Sequence, residues 1–138
     1  MNNQELTKKV TTAMYKILRE KGIVSPVEVL IEIGTLTKPN YENWRFGRIP
    51  YLEKVCTMNL HKLSTVMREI KSYARKHQLK ESWTMYKKWG NKGKVIPLRF
   101  SKSGDEYIER SYATHYITAI NEQIAILMCV LHKFQDIL

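Results

Sequence analysis

The chain has 138 residues, the size of a single domain, and a chain this long buries roughly two thirds of its extended surface on folding, enough to build a core. Charged residues at 26% and hydrophobic residues at 43% exclude a disordered or fibrous protein. The unusual quantity is a formal net charge of +10, which directs attention to polyanionic partners: nucleic acid, acidic proteins or an anionic membrane surface.

In chain order, Leu6, Val10, Met14, Ile17 and Leu18 recur at helical spacing through Glu5 to Glu20, and Gly22 supplies the C-terminal cap. Ser25-Pro26-Val27-Glu28 is a capping box with proline at the first helical position, so a second helix is expected to run to Ile33 and stop at Gly34. Thr37 caps a third short helix through Pro39, Tyr41 and Trp44 to Phe46, terminated by Gly47. Two short helices joined by Gly34-Thr35-Leu36-Thr37 resemble a helix-turn-helix. That resemblance implies a second helix offering Lys38, Asn40, Asn43, Arg45 and Arg48 to a DNA groove or to phosphates. It departs from the family pattern in placing bulky Leu30 where a small residue is usual and in shifting Tyr41 and Trp44 by one position. Helix pairs of this kind also serve as packing units, with Trp44 then in the core.

A long helix is expected over residues 50–78. With residues 100° apart, Leu52, Val55, Cys56, Leu60, Leu63, Val66, Met67, Ile70, Tyr73 and Ala74 fall within an arc of roughly 140°. The opposite side collects Lys54, Arg68, Lys71, Arg75 and Lys76, with Glu53 beside them and Glu69 nearer the flank. Trp83 to Trp89 alternates faces and is aromatic, Gly90-Asn91-Lys92-Gly93 makes a turn, and Val95 to Phe100 returns. This predicts a two-stranded antiparallel ribbon over residues 83–100, with Pro97 at an edge or bulge.

Ser103-Gly104-Asp105-Glu106 is another capping box, with Ser103 as the cap, and opens a further helix, expected over residues 104–138, in which Ala113, Tyr116, Ile117, Ile120, Ile124, Leu127, Met128, Leu131, Phe134 and Leu138 share a face. A competing local pattern makes Tyr112 to Thr118 a strand, on its Tyr, Thr and Ile content. A helix with apolar residues on several sides needs cover, and a homodimer through this C-terminal helix would supply it. The fold class expected is therefore mainly α with a small β-hairpin, an α+β chain. Residues 5–49 form its helix-turn-helix-like part and residues 50–78 its central helix. No repeat or linker divides it, so residues 1–138 form one domain.

The longest apolar run, Ile124 to Leu131, is eight residues, whereas crossing a bilayer takes about twenty. The polar start, Met1 to Val10, lacks the apolar segment of a secretory signal. A cytoplasmic protein without a membrane partner is expected. Cys56 and Cys129 both fall on apolar helical patterns without Cys-x-x-Cys spacing, which favours buried free thiols and neither a metal nor a redox cofactor.

Between His61 and Lys102 there are twelve Lys and Arg residues against Glu69 and Glu81 alone, so the formal charge excess of the whole chain sits there. Arg68, Lys71, Arg75 and Lys76 line the helix ridge. Trp83, Tyr86 and Trp89, interleaved with Lys87, Lys88, Lys92, Lys94, Arg99 and Lys102, combine flat surfaces for bases with cations for phosphates. A helix-turn-helix plus a ribbon is similar in architecture to a winged helix, which would make Trp89 to Lys94 the wing tip. Here, however, Pro50 to His77 is interposed.

The function expected is nucleic-acid binding, DNA ahead of RNA, without enzymatic activity, through these residues together with Arg45 and Arg48. A protein-interaction module is the alternative. Cys56, Leu60, Leu63, Met67, Ile70, Ala74 and His77 follow the four-three spacing of a helix seam, and the ridge would dock an acidic partner. Of His61, His77, His115 and His132, only His115, near Arg110 in sequence, suggests the general base of a phosphodiester hydrolase. The scattered Asp and Glu residues do not offer the cluster a metal-dependent nuclease uses.

Overall fold

The computed structural model describes residues 2–118 together with Leu131. Helix α1, Asn3–Lys21, starts where the Asn2 side chain accepts the Glu5 N–H, and ends at Gly22 in the left-handed region, whose N–H donates to the Leu18 carbonyl at 2.7 Å. Strand β1, Ile23–Val24, leads into α2, Pro26–Glu32. The Ser25 hydroxyl accepts the Glu28 N–H at 3.2 Å and donates to the Glu28 carboxylate at 3.1 Å, closing the start of α2 with side chains three residues apart. Helix α3, Lys38–Arg45, begins at Thr37, whose hydroxyl accepts the Asn40 N–H. The turn between them is held by the Thr35 and Leu36 N–H groups, both donating to the Leu30 carbonyl.

The long helix expected over residues 50–78 is shorter: a single 3₁₀ turn spans Leu52–Val55, the chain then extends, and α4 runs over Leu60–Lys76. Leu52 and Glu53 donate their N–H groups to the carbonyls of Arg99 and Phe100, and Thr57 donates both its N–H and its hydroxyl to the Thr35 carbonyl. Those bonds withdraw the segment from an α-helical ladder, and Asn59, accepting the Lys62 N–H at 2.8 Å, starts a new helix.

The expected hairpin is also revised. Strand β2 is Lys80–Trp83, and its partner is strand β3, Thr114–Ile117, which follows helix α5, Glu106–Ala113. The sheet has three antiparallel strands in the order β1-β3-β2, with Val24 and Glu81 both opposite Tyr116 and Trp83 opposite Thr114. Of the ribbon there remain one bridge, Lys87 to Pro97, and two hydrogen bonds, Lys88 N–H to Ile96 O and Leu98 N–H to Tyr86 O, each 2.8 Å. A helix running from Gly104 through Thr118 is likewise excluded, and the competing strand pattern is the one the chain adopts. Asp105, not Ser103, caps α5, accepting the Ile108 N–H, while Ser103 accepts the Asp105 N–H. The apolar positions from Ile120 onward, including Cys129 and the homodimer expectation, lie outside the described residues except for Leu131.

The protein is thus mostly helical with a small antiparallel sheet. Helix α1 packs on α4, and Leu6, Val10 and Met14 join Leu63, Val66 and Ile70 in one buried cluster. Its aromatic part is a chain of ring contacts, Trp44 to Tyr86, Trp44 to Phe100 and Phe100 stacked on Tyr112, with centroids 5.1 to 5.6 Å apart. Trp44 is completely buried, and its indole N–H donates to the Arg99 carbonyl at 2.8 Å. That bond fastens α3 to the segment running from the ribbon to α5.

Candidate nucleic-acid interface

Arg68, Lys71 and Arg75 stand at i, i+3 and i+7 on α4, within about 60° of one another. They face a groove of about 1110 Å³ between α4 and α5, whose other wall carries Tyr107 and Ile108 and whose end carries Lys102. Leu60 and Met67 contribute apolar surface alongside them. The Lys71 ammonium lies 2.5 Å from the Tyr107 hydroxyl and 4.0 Å from the ring centroid. Its hydrogen bond and charge hold the Tyr107 phenol below its ordinary pKa.

Two carboxylates near this cationic groove are occupied by hydrogen bonds to other groups. Glu53, itself in the lining, accepts the Lys102 N–H at 2.8 Å and the Tyr112 hydroxyl at 2.8 Å. Burial, followed by the Glu53 charge, pushes the Tyr112 phenol far up, so it stays a donor. Glu109 accepts the Phe100 and Ser101 N–H groups at 2.9 and 2.6 Å and the Ser101 hydroxyl at 2.5 Å. These bonds set the loop that presents Lys102.

A second group of predicted residues surrounds the end of α3. The Arg45 guanidinium stacks between the rings of Tyr86 and Trp89, 5.1 and 4.7 Å from their centroids. It therefore braces α3 against the ribbon and is not presented to a groove as the helix-turn-helix resemblance implied. Arg48 donates to the Asn43 side chain at 3.0 Å and lies over the Phe46 ring. The Lys88 stem covers Gly47, and the Trp89 N–H donates to the Arg45 carbonyl at 2.7 Å. Lys87, Lys92 and Lys94 are exposed.

The aromatic residues divide. Trp83, at 58% exposure on the end of β2, presents a free surface, whereas Trp89, at 38%, packs edge-on against Tyr41 and Phe46. Tyr86 is in the core, 7% exposed, so it offers no platform for a base. Arg99 is engaged locally, its Nε donating to the Ser101 carbonyl at 2.7 Å and Nη2 to the Lys102 carbonyl. Lys76 closes the last turn of α4, rotated about 80° from Arg68 and outside the groove lining. The sequence places thirteen of the fifteen predicted residues on one ridge and ribbon and Arg45 and Arg48 on the helix-turn-helix candidate; the structure gathers Arg68, Lys71, Arg75 and Lys102 in one groove and Arg45, Arg48, Lys88 and Trp89 at another junction.

Among the described residues the ion pairs are Lys16 with Glu32 and Lys21 with Glu28, linking α1 to α2. None of the fifteen predicted residues takes part in either. Ser64 and Ser72 beside the cations, and Tyr107 opposite them, complete the groove; only the approach of α5 to α4 reveals Tyr107, since 36 residues separate it from Lys71.

His61 is exposed and His77 stacks on Tyr73 with centroids 4.1 Å apart. His115 Nε2 lies 3.0 Å from the Tyr86 hydroxyl. Burial lowers the His115 pKa, opposed in part by Glu28, while burial pushes the Tyr86 phenol up to about 12. His132 lies outside the described residues. Cys56 is a free thiol, half-buried and pushed up to about 12 mainly by that burial.

Among the described residues no group of three His, Cys, Asp or Glu side chains could hold a metal ion, and no helix is long and apolar enough to cross a membrane. Compared with protein-family models, with curated proteins and with solved structures, the chain matches none.

Proposed function

We propose that this protein binds nucleic acid through the phosphate backbone, using the α4/α5 groove and the exposed lysines of the ribbon. The observation that carries the reading is how the acids are used in the cation-rich half of the chain. Glu53 and Glu109 accept hydrogen bonds from backbone N–H groups and hydroxyls, and Arg68, Lys71, Arg75 and Lys102 form no ion pair with a carboxylate among the described residues. Unneutralised cations on one groove attract a polyanion and release its counterions on contact. The seam that would support an adaptor role is less available, because Leu63, Ile70 and Ala74 are buried in the domain's own core and Cys56 lies outside α4.

The test is an electrophoretic shift of DNA and RNA oligonucleotides by nuclease-treated protein across a salt series. Affinity should fall steeply, with a slope of about 0.7 to 0.9 in log affinity per neutralised phosphate. The combined Lys87→Gln, Lys88→Gln, Lys92→Gln, Lys94→Gln variant should flatten it. Failure of every oligonucleotide to shift at low salt overturns the reading.

A further inference from the structure

We propose that the α4/α5 groove is built for a single strand, with phosphates on Arg68, Lys71, Arg75 and Lys102 and an unpaired base on Tyr107. This rests on the nucleic-acid reading and narrows it to one class of ligand and one place.

Seven residues separate Arg68 from Arg75, about 10 Å along the helix axis, and a stacked strand carries one charge per roughly 3.4 Å. The row therefore spans about three phosphate-to-phosphate steps. Lys102 adds a fourth cation at the groove's end, held there by its own N–H bond to Glu53 at 2.8 Å.

The opposite wall is of a different kind. Tyr107 is 69% exposed, and Ile108 beside it is also an exposed large apolar side chain bordering the same groove. A cationic row facing flat and apolar surface matches a strand whose bases are unpaired and able to turn away from its phosphates. In a duplex the bases are stacked inside, so phosphates could meet the row but nothing would cover the Tyr107 wall.

The Lys71 to Tyr107 contact couples the two halves. In the free protein the ammonium caps both the hydroxyl and the ring of Tyr107. An arriving phosphate draws Lys71 toward itself and uncovers the ring for a base.

The experiment compares a short fluorescent oligonucleotide of mixed sequence, alone and annealed to its complement, on the full chain. Arg68→Gln, Lys71→Gln and Arg75→Gln combined should lower the single-strand salt slope by about 2, three contacts at roughly 0.7 each. Tyr107→Ala should weaken single-strand binding about 5- to 150-fold, the range for one stacked base, and leave duplex binding unchanged. Tyr107→Phe should retain single-strand binding because the ring remains. These side chains lie on the groove surface and glutamine keeps the helix propensity, so thermal unfolding close to wild type verifies the fold.

An unchanged slope in the α4 variant while the ribbon variant loses affinity overturns the groove assignment and leaves nucleic-acid binding standing. Equal losses for single strand and duplex on Tyr107→Ala, or equal losses for Ala and Phe, overturn the stacking role. Polyglutamate bound as tightly as the oligonucleotide, with the same slope loss, assigns the groove to an acidic protein. If no oligonucleotide binds wild type, the broader reading falls with it.

Discussion

Replacing Glu109 with alanine should be among the most damaging single changes outside the apolar core. Its carboxylate accepts the N–H groups of Phe100 and Ser101 and the Ser101 hydroxyl, and both of those residues are nearly inaccessible to water, 4% and 1% exposed. Truncation leaves two amide donors and a hydroxyl without an acceptor, at about 1 to 3 kcal/mol for each group that water fails to reach. Glu109 is itself only half-buried, so water entering the vacated space recovers part of this, and a net loss of about 3 kcal/mol is expected. For a domain of this size that corresponds to roughly 9 to 15 °C in Tm. Glutamine keeps one acceptor oxygen but turns an amide N–H₂ toward donors, and should cost about half as much. Circular dichroism melts and urea titrations of the three proteins provide the measurement. A loss below about 1 kcal/mol for alanine, or glutamine falling below alanine, would refute the claim that this carboxylate holds the loop.

Trp44→Phe should cost about 2 kcal/mol, because it opens space in a fully buried site and removes the indole hydrogen bond to the Arg99 carbonyl, which keeps only the Leu52 N–H; a urea titration reads it directly. Gly47→Ala should destabilise by about 1 to 2 kcal/mol, since Gly47 has φ +72° and an added Cβ would meet the Lys88 stem at 2.6 Å; the same melts apply. His115 has a lowered pKa in the folded state, so its contribution is fully present above the ordinary value of 6.5 and is lost as the pH falls below that value toward the folded pKa. Wild type should therefore lose stability relative to His115→Gln over that acid range, and parallel stability-against-pH curves for the two would contradict the assignment.

The features legible in sequence were those decided within a few residues. The Ser25 to Glu28 box, the Thr37 cap and the Gly22 stop are set by side chains meeting backbone groups one turn away. The features misread were decided by partners far off in the chain. The apolar arc through Leu52, Val55 and Cys56 continues the pattern of α4, but the N–H groups of Leu52 and Glu53 are claimed by Arg99 and Phe100. Lys80–Trp83 pairs with Thr114–Ile117 and not with the aromatic run's nearest neighbour. At Thr114–Ile117 two periodicities competed, and the β-branched and aromatic content favoured a strand. Within the site, the cations of α4 could be read from helical spacing, whereas Tyr107 could not, because its place opposite Lys71 depends on how two helices meet.

The position of β3 has a consequence for how the chain acquires its shape. This strand is the middle of the sheet, and its neighbours are drawn from residues 23–24 and 80–83. Both flanking strands must wait for a segment synthesised after them, the nearer by about thirty positions and the farther by more than ninety. Such distant closures slow folding relative to helical proteins of equal length. A nascent chain halted before Thr114 would hold two unpaired strand edges with nothing to join them, so the ribosome-bound intermediate is the form most exposed to wrong association.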